Sequence, residues 1–351
     1  LVVIEATSDY WKPFYYLLSE DLAVILVNAR QVKNLPGRKT DVSDAAWLAQ
    51  LGAHGLVRPS FVPDQPVREL RDLTRARTQL TRERGQIVQR LEKLLEDTGI
   101  KLAAVASDIM GVSGRAMLEA LVSGEREPQT LAELAKRKLR NKIPELTEAL
   151  TGRFRDHHAF LVRLHLDHYD QLTDAVGQLD ERIEAAMAPF RGALDLLDTI
   201  PGINRAVAEV IVAETGGDMA RFASARHLAS WAGVCPGHHE SAGRTKNTKV
   251  RPGNPYLKGA LGLAAFGAVR TKDTYLQARY KRLTARRGPL RALVAVEHSI
   301  ITAIWHMLTD NVPYRELGGA YFTQRDPERA TRRAINALNQ LGYTVTLNPL
   351  G

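Results

Sequence analysis

Three acidic side chains near the start of the chain have the type and spacing for hard-cation chemistry. Glu5 ends an apolar, β-branched run, LVVIE, and Asp41 and Asp44 stand at i and i+3 in TDVSDA. Ligand sites of open α/β sheets collect at strand ends, and residues at i and i+3 share one face of a helix. Three carboxylates so placed would offer oxygen ligands to a cation such as Mg²⁺, which favours carboxylate and water and keeps part of its hydration shell. The same spacing admits a second reading. Asp41 would be an N-cap and Asp44 a first-turn acid opposing the helix dipole, worth about 0.3–1 kcal/mol without any metal. Spacing alone leaves both open. Asp9 reads as a cap for the helix that follows it.

Farther along, Ser241 is followed by Arg244, Lys246, Lys249, Arg251 and Lys258 with no intervening acid, in GVCPGHHESAGRTKNTKVRPGNPYLKGAL. Its glycines and prolines predict a loop until about Pro255. Such a loop can draw a phosphate backbone close to a hydroxyl. An unassisted serine is a poor nucleophile and needs a base, a metal or a strongly stabilised transition state; the neighbouring cations could supply the last of these. A turn or cap is the usual role for a loop serine. Cys235, His238 and His239 suggest zinc, but no second Cys-x-x-Cys or spaced histidine pair completes four ligands, and the cysteine reads as a small buried hydrophobe. Upstream, DLLDTIPGINRAVAEVIVAET reads as helix, PGI turn and helix, similar to a helix-hairpin-helix element. Its turn at Gly202 and the helix start at Asn204 can meet a phosphate. An ordinary packing corner is the competing reading. A later basic stretch, Arg270 through Lys281, Arg282, Arg286 and Arg287 to Arg291, interleaves Tyr275 and Tyr280. It suits either backbone charge and base stacking or a plain solvated face.

These residues need elements to position them. LVVIE and LAVILV, the latter at 22–27, are strand-like and flank a helical stretch at 10–20, a β-α-β signature of a buried parallel sheet. Two strands cannot make such a sheet alone, so strands are expected from elsewhere or from upstream of Leu1. A helix is expected from about Asp41 to Gln50. From Pro66 to about Asp97 a single long helix is predicted, with Leu70, Leu73, Leu80, Ile87, Leu91 and Leu94 on a seam that Arg77 and Arg84 complete. This predicts a coiled-coil-like hairpin or dimerisation helix, its outer face carrying Arg68, Arg71, Arg75, Arg82, Arg90 and Lys93. Residues 115–190 are mostly helical and are expected to pack back against it. The resulting division is 1–62 for the acidic α/β domain, 63–191 for the helical region, 192–325 for a further helical domain with the serine, and 326–351 for a tail.

Composition bounds the rest. The chain has 351 residues, 44% hydrophobic and 25% charged, which fits folded domains and excludes wholesale disorder. No run of about 18 apolar residues and no export signal is present, so no membrane partner is expected. One cysteine points to a reducing compartment, the cytoplasm. A net charge of +9 with a pI near 9.6 favours polyanionic partners, because each phosphate neutralised releases counterions.

Taken in order, IEATSDYWKPFYYLL, NARQVKNLPGRKTDVSDAAWLAQL, the long basic helices, TIPGINRAVAEVI and HHESAGRTKNTKVRPGNPYLKGAL resemble the DEDD insertion-sequence transposases, the "one-ten" group of bacterial mobile elements, over nearly the whole chain. The resemblance implies an α/β plus mainly α protein: a RuvC-like, ribonuclease-H-type domain with four acidic residues, a helical coiled-coil region, and a C-terminal transposase domain with a nucleophilic serine. Glu5, Asp41, Asp44 and Ser241 match the family's positions. The family's first aspartate, on a strand upstream of the glutamate, has no equivalent, since Leu1 lies just before Glu5; an N-terminally truncated copy is expected. The resemblance further implies DNA recombination through a phosphoserine link, Mg²⁺ on the acidic cluster, a structured guide RNA encoded by the element, and a homo-oligomer, dimer or tetramer. Two rival readings are a Mg²⁺-dependent structure-selective nuclease and a catalytically inactive nucleic-acid-binding relic.

Overall fold

Two β-branched runs separated by a helix give the first unit, Leu1–Gln65, its parallel strand pair. The computed structural model describes residues 1–32, 40–237, 239–247 and 249–347. β1 (Val2–Glu5) and β2 (Val24–Val27) run parallel with Val2 opposite Val24 and Glu5 opposite Val27, joined through α1 (Trp11–Leu18). Parallel neighbours require a crossover of this kind, because the first strand ends at the opposite edge from where the second begins. α2 (Ala29–Val32) and α3 (Asp41–Ala53) follow. Beyond them the backbone N–H of Ser60 donates to the Leu26 carbonyl at 2.7 Å and Pro59 bridges Val27. That segment covers the far edge of β2 without adding a strand. α3 lies on β1 through Gly52, where a Cβ would stand 2.6 Å from the Val3 side chain. Trp47 fixes the helix by donating its indole N–H to the Val32 carbonyl at 3.0 Å. The two-stranded pair is the α/β part of the fold, and the remainder is mainly helical.

The second unit, Pro66–Gly351, opens with α4 (Gln65–Thr98), where a proline in the first turn is tolerated because its missing N–H has no intrahelical acceptor there. After α5 (Leu102–Val105), α6 (Val112–Val122), α7 (Pro128–Glu133) and α8 (Ile143–Ala149), the long α9 (Asp156–Ala186) returns antiparallel beside α4. Arg77 meets Asp180 at one end of the pair, and Asp97 meets His158 at the other. The expected seam is corrected in its second half. Leu95 is fully buried with Ile87 and Leu91, while Leu80 and Leu94 are only half-buried at the margin. The physical reason is that this half packs into a bundle with Met117, Leu118, Leu131, Leu146, Val162 and Leu166, which needs a broader apolar stripe than a two-helix seam.

A second core follows. It is built by α10 (Arg191–Asp198), α11 (Arg205–Thr215), α12 (Ala225–Trp231), then the short strands β3 (His239–Ser241) and β4 (Arg244–Asn247), then α13 (Pro255–Arg270), α14 (Tyr275–Arg287) and α15 (Pro289–Asp310), trailed by α16 (Tyr321–Arg325) and α17 (Pro327–Gln340). α15 is long and apolar enough to cross a membrane by length and composition, yet its Val296, Ile300, Ile301 and Ile304 pack in this core against Leu257, Leu261 and the alanines of α13. Leu70 of α4 belongs to the same core.

Gly202 is where this core is tightest. Its φ is +91°, and a Cβ there would lie 2.2 Å from the Ala264 carbonyl oxygen and 2.3 Å from the Ala268 nitrogen. The PGI turn therefore sits backbone on backbone against α13, which only glycine permits. Gly202→Ala is expected to destabilise the protein by at least about 1–3 kcal/mol, the usual cost of overpacking, with strain at positive φ added. A thermal melt unchanged by this substitution would contradict the close seating.

Candidate functional site

The acidic residues take their places from α3 and β1. Thr40, not Asp41, is the N-cap: its Oγ1 accepts from the Ser43 N–H at 3.2 Å while the Thr40 N–H donates to Ser43 Oγ at 3.1 Å. Asp41 and Asp44 are both first-turn acids, favourably placed against the positive end of the helix dipole. Asp44 is half-buried and Asp41 exposed, and Glu5, half-buried at the end of β1, accepts from the Thr7 hydroxyl at 3.2 Å. Their oxygen chemistry suits a hard divalent cation. Their placement does not close a site for one, because among the described residues no three His, Cys, Asp or Glu side chains gather closely enough to hold a metal ion.

Ser241 stands at the tip of a β-hairpin, which corrects the expectation of a continuous loop. It pairs with Arg244 across the two-residue turn Ala242–Gly243, whose φ values are +52° and +71°. Two left-handed residues in succession define a type I′ turn, whose twist matches that of paired strands. Glycine accepts this conformation freely; alanine pays about 1–2 kcal/mol for it. Ala-Gly is thus a weak hairpin signal, and it hid the turn in the sequence. Ser241 and Arg244 are both exposed. At the foot, Pro236 bridges Val250 and the Gly237 N–H donates to the Lys249 carbonyl at 2.9 Å. Lys249 and Arg251 are exposed on the returning chain. The Lys246 side chain and all of His238 lie outside the described residues.

The other anticipated contacts fall elsewhere. Gly202 faces α13, and the Asn204 side chain accepts from the Val207 N–H at 3.0 Å as the N-cap of α11. Both do the work of a packing corner. Tyr275 is likewise committed: its ring stacks on Phe322 with centroids 5.3 Å apart, and Arg282 covers the other partner at 4.1 Å from the Phe322 centroid. α14 thus presents charge, with this tyrosine's ring spent internally.

The arginines of α4 are also not simply a solvated face. Arg75 donates from Nε and Nη2 to the two oxygens of Glu214 at 2.7 and 2.8 Å, and Arg71 donates to the Glu214 carbonyl at 2.7 Å. Burial disfavours the Arg75 charge, but the Glu214 hydrogen bonds and charge outweigh it and raise its pKa. Asn254 donates to the same carboxylate at 2.6 Å while its Oδ1 caps α13 through the Tyr256 and Leu257 N–H groups. Two residues farther along α4, Arg77 joins Glu209 at 2.6 Å and Asp180 at 2.9 Å. The segment that returns from the serine hairpin is therefore tied to the long helix by a buried polar joint that sequence reading missed, since Glu214 and Asn254 have no local motif.

Two protein-family profiles match the chain. Residues 1–100 match one described as a transposase, the DEDD type of IS110 elements, and residues 194–281 match one described as the transposase IS116/IS110/IS902 family, which spans the Ser241 hairpin. The chain is similar to the insertion element IS900 uncharacterized 42 kDa protein of Mycobacterium paratuberculosis, with 27% identity over 84% of this chain and 80% of the relative. It is similar to the transposase for insertion sequence element IS1111A of Coxiella burnetii, with 24% identity over 90% of this chain and 79% of the relative. A pilin gene-inverting protein of Moraxella bovis is 27% identical over 42% of this chain and 48% of its own length.

Within the serine domain, Glu297 of α15 is buried with Oε2 lacking a hydrogen-bond partner among the described residues. Burial raises its pKa, opposed by the charge of Lys258 on α13. Lys258, anticipated on the nucleic-acid face, is half-buried and acts on this carboxyl. With the folded pKa above the unfolded value, the unfolded chain gives up this proton first, so stability falls as pH rises above about 4.5 towards the folded pKa. Glu297→Gln is expected to flatten that decline and to raise the melting temperature at neutral pH. Parallel stability curves for the two proteins from pH 4 to 8 would refute it.

Proposed function

The chain belongs to the IS110 family of insertion-sequence transposases, enzymes that recombine DNA, and from that premise we propose that Ser241 is the nucleophile that breaks and rejoins the strands. The observation that supports this reading most is the hairpin tip, where an exposed hydroxyl stands directly across from Arg244 in the segment shared with the transposase profile. Attack by Oγ on a phosphodiester forms an Oγ–P bond, breaks one P–O bond of the strand and leaves a hydroxyl end. A second strand end then displaces the serine. The covalent link retains the energy of the broken bond, so joining needs no external source. The Arg244 guanidinium is suited to the charge that builds on the phosphoryl oxygens, and Lys246, Lys249 and Arg251 add positive charge in the sequence that follows.

In the same reading Glu5, Asp41 and Asp44 are this chain's contribution to a Mg²⁺ site, in keeping with the divalent-metal use of the family. Because the three do not gather by themselves, no step of the exchange is assigned to them. A guide RNA from the element selects the DNA partners, bound through the excess of basic residues, and a cytoplasmic homo-oligomer is the working unit. Gly202 and Asn204 are left out of the nucleic-acid contacts, since packing and capping account for them.

Ser241→Ala is expected to remove the covalent protein–DNA adduct on a denaturing gel while leaving DNA binding unchanged. Adduct at full yield from the alanine variant would refute the nucleophile. Asp44→Asn is expected to abolish Mg²⁺-dependent strand exchange with only a small change in melting temperature, because Thr40 and Ser43 cap α3. Undiminished exchange would leave Asp44 as a dipole-facing acid alone.

A further inference from the structure

A cleft of about 420 Å³ opens between α12, the foot of the serine hairpin and α15, lined by Arg226, Ser230, Cys235, Pro236, Arg251 and His298. Arg226 and Ser230 stand at i and i+4 on α12 and so share a face. Arg251 follows Val250, whose backbone bridges Pro236, and His298 forms the wall from α15. No Asp or Glu is among these lining residues, and neither arginine is paired with a described carboxylate. This sets them apart from Arg71, Arg75, Arg77, Arg115, Arg163 and Arg205, each of which holds an acid. Burial, with the Arg279 charge adding to it, lowers the His298 pKa, and burial raises that of the Cys235 thiol, so both face the cleft as neutral polar groups near pH 7.

The arginine carriers are held in fixed relation. Gly233 and Gly253 bring the chains entering and leaving the hairpin into backbone contact, so close that a Cβ on Gly253 would lie 2.4 Å from the Gly233 nitrogen. Two planar forks and a hydroxyl lining one cleft, with no acid among its described lining residues, match the oxygens of a phosphate, which guanidinium groups bind bidentately. A pre-set arrangement of this kind loses little freedom on binding.

We propose that the cleft is a phosphate subsite that grips one phosphodiester of the DNA strand served by the serine hairpin, with Arg226 and Arg251 as fork donors and Ser230 as a third donor. It rests on the reading of this domain as the one that joins DNA, and adds a holding point away from the reacting phosphate. Such a contact fixes register without reading sequence and turns remote binding into orientation at the hydroxyl.

The test is binding of the full chain to a short random-sequence duplex by fluorescence anisotropy across a salt series. One phosphate contributes roughly 0.9 to the slope of log K against log salt on B-DNA. The double variant Arg226→Ala with Arg251→Ala is expected to lose about that much slope, and each single variant no more. An unchanged slope in the double variant overturns the subsite, and a loss of about twice that size overturns the sharing of one phosphate. A loss confined to single-stranded RNA of the same sequence overturns the assignment to DNA. Ser241→Ala separates this proposal from the nucleophile: adduct surviving in that variant, while the double variant still loses slope, sinks the serine and leaves the subsite standing.

Discussion

The carboxylate of Glu214 is completely buried, and the arrangement of the C-terminal core depends on how it is satisfied. A lone carboxylate there would cost several kcal/mol. Arg75 occupies both of its oxygens, Arg71 adds charge and reaches the neighbouring carbonyls, and Asn254 supplies a further donor. The partners come from two distant stretches of chain: Arg71 and Arg75 from α4, and Asn254 from the turn that opens α13. Because removal of any one leaves the others short of a partner inside a low-dielectric region, the joint enforces a single register between the long helix, α11 and the chain leaving the hairpin.

That register matters for the serine. Ser241 itself has no deep support; it stands exposed at a turn that includes a left-handed alanine. What holds the hairpin is its foot, where the Gly237–Lys249 hydrogen bond, the Pro236–Val250 bridge and the Gly233–Gly253 contact fasten two chains together, just before Asn254 enters the Glu214 joint. The Ser241 hydroxyl is therefore carried on a fastened base and left accessible at its end, which suits the proposed attack on a substrate as large and stiff as a DNA strand.

Ion pairing separates some arginines from others. Arg71, Arg75 and Arg77 of α4 and Arg205 of α11 are held by carboxylates, so the formal charge of the chain overstates the cation these four offer a partner. Those around the hairpin, Arg226, Arg244 and Arg251, are exposed without described acid partners and leave cationic surface on the hairpin's side of the domain. Unneutralised charge there gives a polyanion a landing point.

Several features were set by local sequence and could be read directly. The β-branched runs at 1–5 and 22–27 make the parallel pair, the proline-led apolar repeat makes α4, and the order of motifs identifies the family. Local preference and hydrophobic period act over a few residues, and these elements need nothing more. Other features were decided only when distant segments met. Gly202 became a packing glycine because α13 arrived beneath it. Arg71 and Arg75 turned inward because Glu214 lay within reach, and the stripe on α4 moved from Leu94 to Leu95 because a bundle formed on that side. The Arg226–Arg251 cleft joins residues of α12, the hairpin foot and α15, a conjunction no spacing along the chain encodes. The physical reason is common to all of them: a side chain's partner, and hence its charge state, burial and role, is set by the segments packed around it rather than by its neighbours in sequence.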